Sequence, residues 1–166
     1  MKGIQSRVFL AVSLATLGWC LTAAGAAAAS TTLHFYNLQE TVTVTDATGV
    51  PLPNGGSGAS PQPGDHIAYT GLDFVGNHRR HASGASASNH LACIFVSATA
   101  LTCDAQVAIG GLLVLGNDVT ATLTSSGVSS IPINAGTGKY KSARGTITVT
   151  PIPGGPNADV TITLDG

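Results

Sequence analysis

The chain has 166 residues, of which 9% are charged and 5% aromatic, with seven Lys/Arg against eight Asp/Glu. So balanced a charge, with only four Phe and three Tyr, argues against a nucleic-acid surface or a binder of anionic lipid.

The N-terminus reads as an export signal. "MKGIQSR" supplies Lys2 and Arg7, and "VFLAVSLATLGWCLTAAGAAAA" is an apolar run ending in small residues. That order of charged, apolar and small-residue regions predicts a signal peptide over residues 1–29, cleaved near Ala29. The run is also long enough for an uncleaved anchor, but the small residues leading into a polar stretch favour cleavage. Trp19 stands before Cys20 where a lipoprotein needs a small residue. Removing 29 of 166 residues leaves 137, residues 30–166, enough for one domain. That portion carries five Lys/Arg against eight Asp/Glu, a formal charge of −3. Its basic residues, Arg79-Arg80 and Lys139/Lys141/Arg144, read as solvated surface. Neither a nucleic acid nor a membrane is expected as partner after cleavage, and the location is secreted, or periplasmic in a two-membrane bacterium.

Beyond the signal, apolar residues recur with period two and no helical period persists. "LHFYNL" and "ETVTVTD" come first, the latter with Val42 and Val44 on one side and Thr on the other. "HIAY" follows a Gly/Ser/Pro-rich loop over residues 47–64, and "ACIFV" follows a second loop over 76–89. Then come "AQVAIGGLLVL", "DVTATL", "GTITVTP" and "ADVTITL", separated by "SSGVSSIPINAGTG" and "PIPGGPNAD". Alternation rich in β-branched residues, bounded by turn clusters, predicts about eight half-buried strands. With no crossover helix, the fold class is all-β, an antiparallel barrel or sandwich.

Cys93 and Cys103 lie at equal distance from Ala98 in "LACIFVSATALTCDAQV". If the two arms form a hairpin, these side chains stand opposite one another on one face, and outside the cytoplasm that favours a disulfide. Two buried free thiols are the alternative.

The stretch "NAGTGKYKSARGTITVT", residues 134–150, carries the pattern G-T-G-x-Y-x-x-A-x-G-x-x-x-V. It resembles the late hairpin of the allene oxide cyclase-like and dirigent-like superfamily, a calycin-type fold. "PGDHIAYTGLDFVGNHRR", "NHLACIFV", "AQVAIGGLLVL" and "ADVTITL" resemble, in order, further strands of that family. The likeness covers residues 33–165. It implies a single eight-stranded antiparallel β-barrel around a cavity, able to hold one small apolar ligand and needing no cofactor. Plant relatives are often trimers, so it also implies a homo-oligomer, dimer or trimer. Gly136 and Gly138 are expected to permit positive φ, Tyr140 to plug a barrel end, and Ala143 and Gly145 to admit a neighbouring strand.

The family's chemistry carries over poorly. Where plant allene oxide cyclases have a glutamate after the first-strand tyrosine, this chain has Asn37 after Tyr36. Cys93 matches the family's pocket cysteine but is expected to be tied to Cys103. Of the paired aspartates of plant dirigent proteins, Asp73 is the one nearby counterpart. Asp65 and Asp73 flank a strand; an acid/base pair at one mouth is weighed against a turn cap and a solvent-facing carboxylate. His34, His66, His78, His81 and His90 read as exposed loop groups, so no metal site is expected.

Two functions therefore stay open. One is a cyclase or isomerase-like enzyme that folds a small apolar substrate by shape, with Tyr36, Asn37, Asp73 and Tyr140 as catalytic candidates. Ligand contacts are expected from Tyr36, Asn37, Tyr69 and Tyr140, with Arg80 or Asp73 at the rim. The other is a non-catalytic ligand-binding, structural or host-contact barrel. A cavity with inward polar groups favours the first; a lumen plugged by Leu, Val and Ile removes it.

Overall fold

A computed structural model describes residues 29–52 and 61–165. The signal peptide expected over 1–29 thus lies outside the described residues except for its last position, as does much of the loop at 47–64. The described chain forms ten strands: β1 Thr31–Thr45, β2 His66–Asn77, β3 Arg80–His81, β4 Ala87–Ser97, β5 Ala100–Ile109, β6 Leu112–Leu123, β7 Ser129–Ile133, β8 Ala135–Gly136, β9 Gly145–Pro151 and β10 Ala158–Leu164. Eight long strands run in the order β1-β10-β9-β7-β6-β5-β4-β2, and β2 pairs back onto β1. Every ladder is antiparallel. The barrel is closed and all-β, and among the described residues the one helical element is the short 3-10 helix at Gly138–Tyr140. Closure leaves no long unpaired edge, which is what a chain of threonine-rich strands needs to avoid pairing with its neighbours.

β1 joins "LHFYNL" and "ETVTVTD" into one strand that serves two partners. Thr31 to Asn37 pair with β10, and Phe35 to Thr45 pair with β2. The register slips between Gln39 and Thr41, leaving Glu40 as an extra residue. Inward positions are odd before it (Phe35, Asn37) and even after it, where Val42 pairs with Tyr69 and Val44 with Ile67. Val42 stays 39% exposed, because β1 has lost its β10 partner by then.

"AQVAIGGLLVL", expected as one strand, is two. Gly110 and Gly111 both have positive φ, 58° and 80°, and form a two-residue turn between the paired Ile109 and Leu112. The expected loop at 76–89 is also partly strand: β3 folds back on β2, and β4 begins at Ala87.

The interior is filled by alternate residues of all eight strands, with Val114 and Ile162 wholly inaccessible. Burying a side chain of that size is worth about 1.5–3 kcal/mol. Cys93 and Cys103 face each other across the β4–β5 ladder, are joined by a disulfide and stand 4.1 Å apart at Cα. That spacing suits a non-hydrogen-bonded antiparallel pair, where side chains come closest. Such a bridge is compatible with an oxidising compartment.

The G-T-G-x-Y lead-in turns a barrel corner. Tyr140 is buried in the 3-10 helix and shares a surface depression with Leu33 and Leu164, at the end where β1 begins and β10 finishes. Of the two glycines expected to need positive φ, Gly138 has it (54°); Gly136 is instead a close-approach site, where a Cβ would lie 2.2 Å from the Tyr140 carbonyl oxygen. At Gly145 a Cβ would lie 1.9 Å from the Thr163 carbonyl oxygen, so β9 and β10 can meet there because no side chain intervenes.

Candidate functional site

Four inward positions on neighbouring strands are polar in a lumen otherwise lined mainly by apolar side chains. Asn37 of β1 stands opposite Asp73 of β2, and Tyr69 and Asn89 share the same face. Asn37 is 1% exposed and Asp73 0%. Groups so deeply buried must find hydrogen bonds inside the protein.

They do. Asn37 Nδ2 donates to Asp73 Oδ1 at 2.7 Å, and Asn89 Nδ2 donates to both carboxylate oxygens, at 2.9 and 3.0 Å. The Tyr69 hydroxyl donates to Asn37 Oδ1. A carboxylate only accepts, so it dictates which way both amides point. Gly71 makes room for this: a Cβ there would lie 2.6 Å from Asn37 Nδ2.

The electrostatics follow from the geometry. Burial raises the Asp73 pKa above the ordinary carboxylate value, and the donors on Asn37 and Asn89 offset part of that rise. Burial, helped by the charge on Asp73 and opposed by the bond to Asn37, pushes Tyr69 up to about 12. Tyr69 therefore stays a neutral donor across the physiological range.

A cavity of about 50 Å³ adjoins this cluster, with Asn37, Tyr69 and Asn89 on one wall and Ile131, Ile147 and Val160 among the aliphatics of the other. Asp73 is not on its wall; it sits behind the two amides and holds them. One polar atom is left over. Asn89 Oδ1 is buried without a hydrogen-bond partner, because its amide has turned its nitrogen to Asp73. Below lies a second interior space of about 130 Å³, lined by Phe95, Leu101, Leu123 and the disulfide among others.

The sequence candidates divide. Asn37 and Tyr69 line the cavity and Asp73 supports it. Tyr36 does not join them: strand alternation turns it to the outer face, opposite Phe74. There His81 stacks on its ring at 4.4 Å, and Asn157 Nδ2 donates to its hydroxyl at 2.7 Å. Arg80 also lies outside, exposed on the β2–β3 hairpin, which His78 fastens to Asp159 through contacts of 2.7 and 2.5 Å. Tyr140 is at the barrel end with Leu33 and Leu164, not on the cavity wall.

Asp65 and Asp73 do not form a pair. Asp65 precedes β2 and caps a turn, accepting the Gln62 N–H at 2.8 Å, whereas Asp73 lies well along the strand and is wholly buried rather than solvent-facing. Asn89 is not among the sequence candidates, because "SASNH" reads as loop. The signal was available: the inward series Phe95, Cys93, Leu91, extended by one more step of two, reaches Asn89.

No family model and no curated protein matches the chain. Among solved structures it is similar to a pyocyanin demethylase, with a TM-score of 0.60 and 16% identity, covering 81% of this chain and 99% of that one. It is also similar to a pterocarpan synthase dirigent protein, with a TM-score of 0.55 and 19% identity, covering 82% of this chain and 83% of the other. At these identities the likeness is one of fold, and the fold is the dirigent-like barrel.

Proposed function

We propose that this chain is an exported barrel that binds a small apolar molecule in its lumen and holds it in one geometry, so that shape guides a cyclisation or isomerisation. The observation that carries this reading is the cavity itself, mostly aliphatic in its walls and with Asn37, Tyr69 and Asn89 together along one side. Such a site orients a guest by a few hydrogen bonds while excluding water. Rate enhancement would come from positioning rather than from proton transfer by Asp73, which stands behind the amides. A demethylase and a synthase share the barrel, which supports a lumen that can host a substrate.

A second reading, a non-catalytic carrier, is favoured by the same recessed carboxylate, whose oxygens already accept three amide N–H contacts. Protein taken from culture supernatant under native conditions, then denatured and extracted, is expected to release one small apolar species in near-stoichiometric amount. Returning that species to emptied protein separates the readings: conversion marks the enzyme, unchanged recovery the carrier. Failure of the lumen to take up any small apolar molecule sinks both. Export is tested on the same sample, by an N-terminus near residue 30 and a 93–103 cross-linked peptide under non-reducing conditions.

A further inference from the structure

The two interior spaces share two lining residues, Leu91 of β4 and Ile131 of β7. In the closed order β4 and β7 are three strands apart, with β5 and β6 between them, so these two residues border both spaces from different sides of the lumen. Leu91 is flanked by Tyr69 and Ala105, and Ile131 stands opposite Ile147. Above this pair lies the small cavity, walled in part by Asn89, whose Oδ1 is unsatisfied; below it lies the larger space, with its mainly apolar and disulfide lining.

Size decides what such a lumen can accept. A dry cavity of about 150 Å³ takes up benzene. Neither compartment, at about 50 and about 130 Å³, reaches that, while the two joined exceed it. A ring is crowded in either compartment alone, and to use both it must pass between Leu91 and Ile131. A slender chain needs less clearance between Leu91 and Ile131 to use both. At the Asn89 wall the head of that chain lies beside a buried acceptor that lacks a donor, and an unpaired acceptor of this kind rewards a guest that brings an O–H or N–H within reach.

We propose that Leu91 and Ile131 form a partition that selects the ligand by width, and that the lumen takes a short unbranched aliphatic molecule with a hydroxyl or N–H head against Asn89 Oδ1. This rests on the lumen-binding reading above and names the ligand class for it; of the two conversions named there it fits isomerisation of a chain, not closure to a ring. Three six-carbon probes and xenon test it on the processed protein by calorimetry and NMR. Xenon, small enough for either compartment, is expected to bind wild type; if it does not, the lumen reading falls and this inference with it.

Given xenon uptake, 1-hexanol is expected to bind at least tenfold tighter than cyclohexanol. It should also bind at least tenfold tighter than methyl pentyl ether, which has the same composition as hexanol but no donor. Leu91→Ala should shrink the hexanol-over-cyclohexanol preference to threefold or less and leave the alcohol-over-ether preference in place. Ile131→Val removes one methyl from the opposite side, should reduce the chain-over-ring preference two- to fivefold, and carries the test if Leu91→Ala does not fold. Equal binding of hexanol and cyclohexanol by wild type, or a preference untouched by either variant, overturns the partition while leaving the lumen reading intact. Equal binding of hexanol and the ether overturns the role given to Asn89.

Discussion

Strands β1 and β2 carry two clusters back to back. On the inner face Asn37 and Asp73 meet Tyr69 and Asn89; one residue away, on the outer face, Tyr36 and Phe74 meet His81. Both contain a tyrosine hydroxyl bonded to an asparagine side chain. Inside, removing a partner strands a group that water cannot reach. Outside, solvent replaces whatever is lost. The same pair of residue types therefore carries very different energetic weight according to which way the pleat turns it.

Four substitutions break or sharpen that contrast. Asp73→Ala leaves the buried Asn37 amide and the half-buried Asn89 amide without their acceptor, at about 1–3 kcal/mol each, so urea denaturation should show a loss of roughly 2–5 kcal/mol. Gly71→Ala pushes a methyl against Asn37 Nδ2 and the Leu38 carbonyl oxygen, 2.6 and 2.9 Å from the new carbon, and should cost about 1–3 kcal/mol.

Tyr69→Phe removes the donor to Asn37 Oδ1 and should cost about 1–2 kcal/mol at neutral pH. It also has a pH signature. The Tyr69 pKa is raised from 10.0 to about 12, so the folded state keeps a proton that the unfolded chain gives up. That stability is fully present below pH 10 and is lost as pH rises through about 12; denaturation midpoints for Tyr69→Phe should lack this alkaline decline. Smallest is Tyr36→Phe, the outer counterpart, which gives up the Asn157 contact where water can serve. Its midpoint should move by about 0.5 kcal/mol or less. A Tyr36→Phe loss equal to that of Tyr69→Phe would erase the distinction between the two faces.

Much of the fold was legible because alternation is a local signal that closure only has to respect. Val160, Ile162 and Leu164 announce their face without help from any other strand, and the equal arms around Ala98 announce the cysteine pair. The site was less legible, for physical reasons. Tyr36 and Asn37 are adjacent, so one of them had to face outward, and the phase set by Phe35 decides it. Arg80 was placed at the rim because a hairpin that folds back over the outer face leaves no local mark. Asn89 was hidden in a polar run whose strand character comes from pairing with β2 and β5 rather than from its own composition.

Glu40 has a consequence for how this chain tolerates insertions and deletions. As the surplus residue of β1 it stores a change of parity, odd positions inward before it and even positions after it. Losing Glu40 would straighten the strand and leave every other side chain on the face it already occupies. Losing Tyr36, only four positions earlier, would turn over all the residues on one side of the gap and carry either Phe35 or Asn37 out of the lumen. Within a single strand, one codon is thus dispensable to the inside–outside assignment and its near neighbour is not.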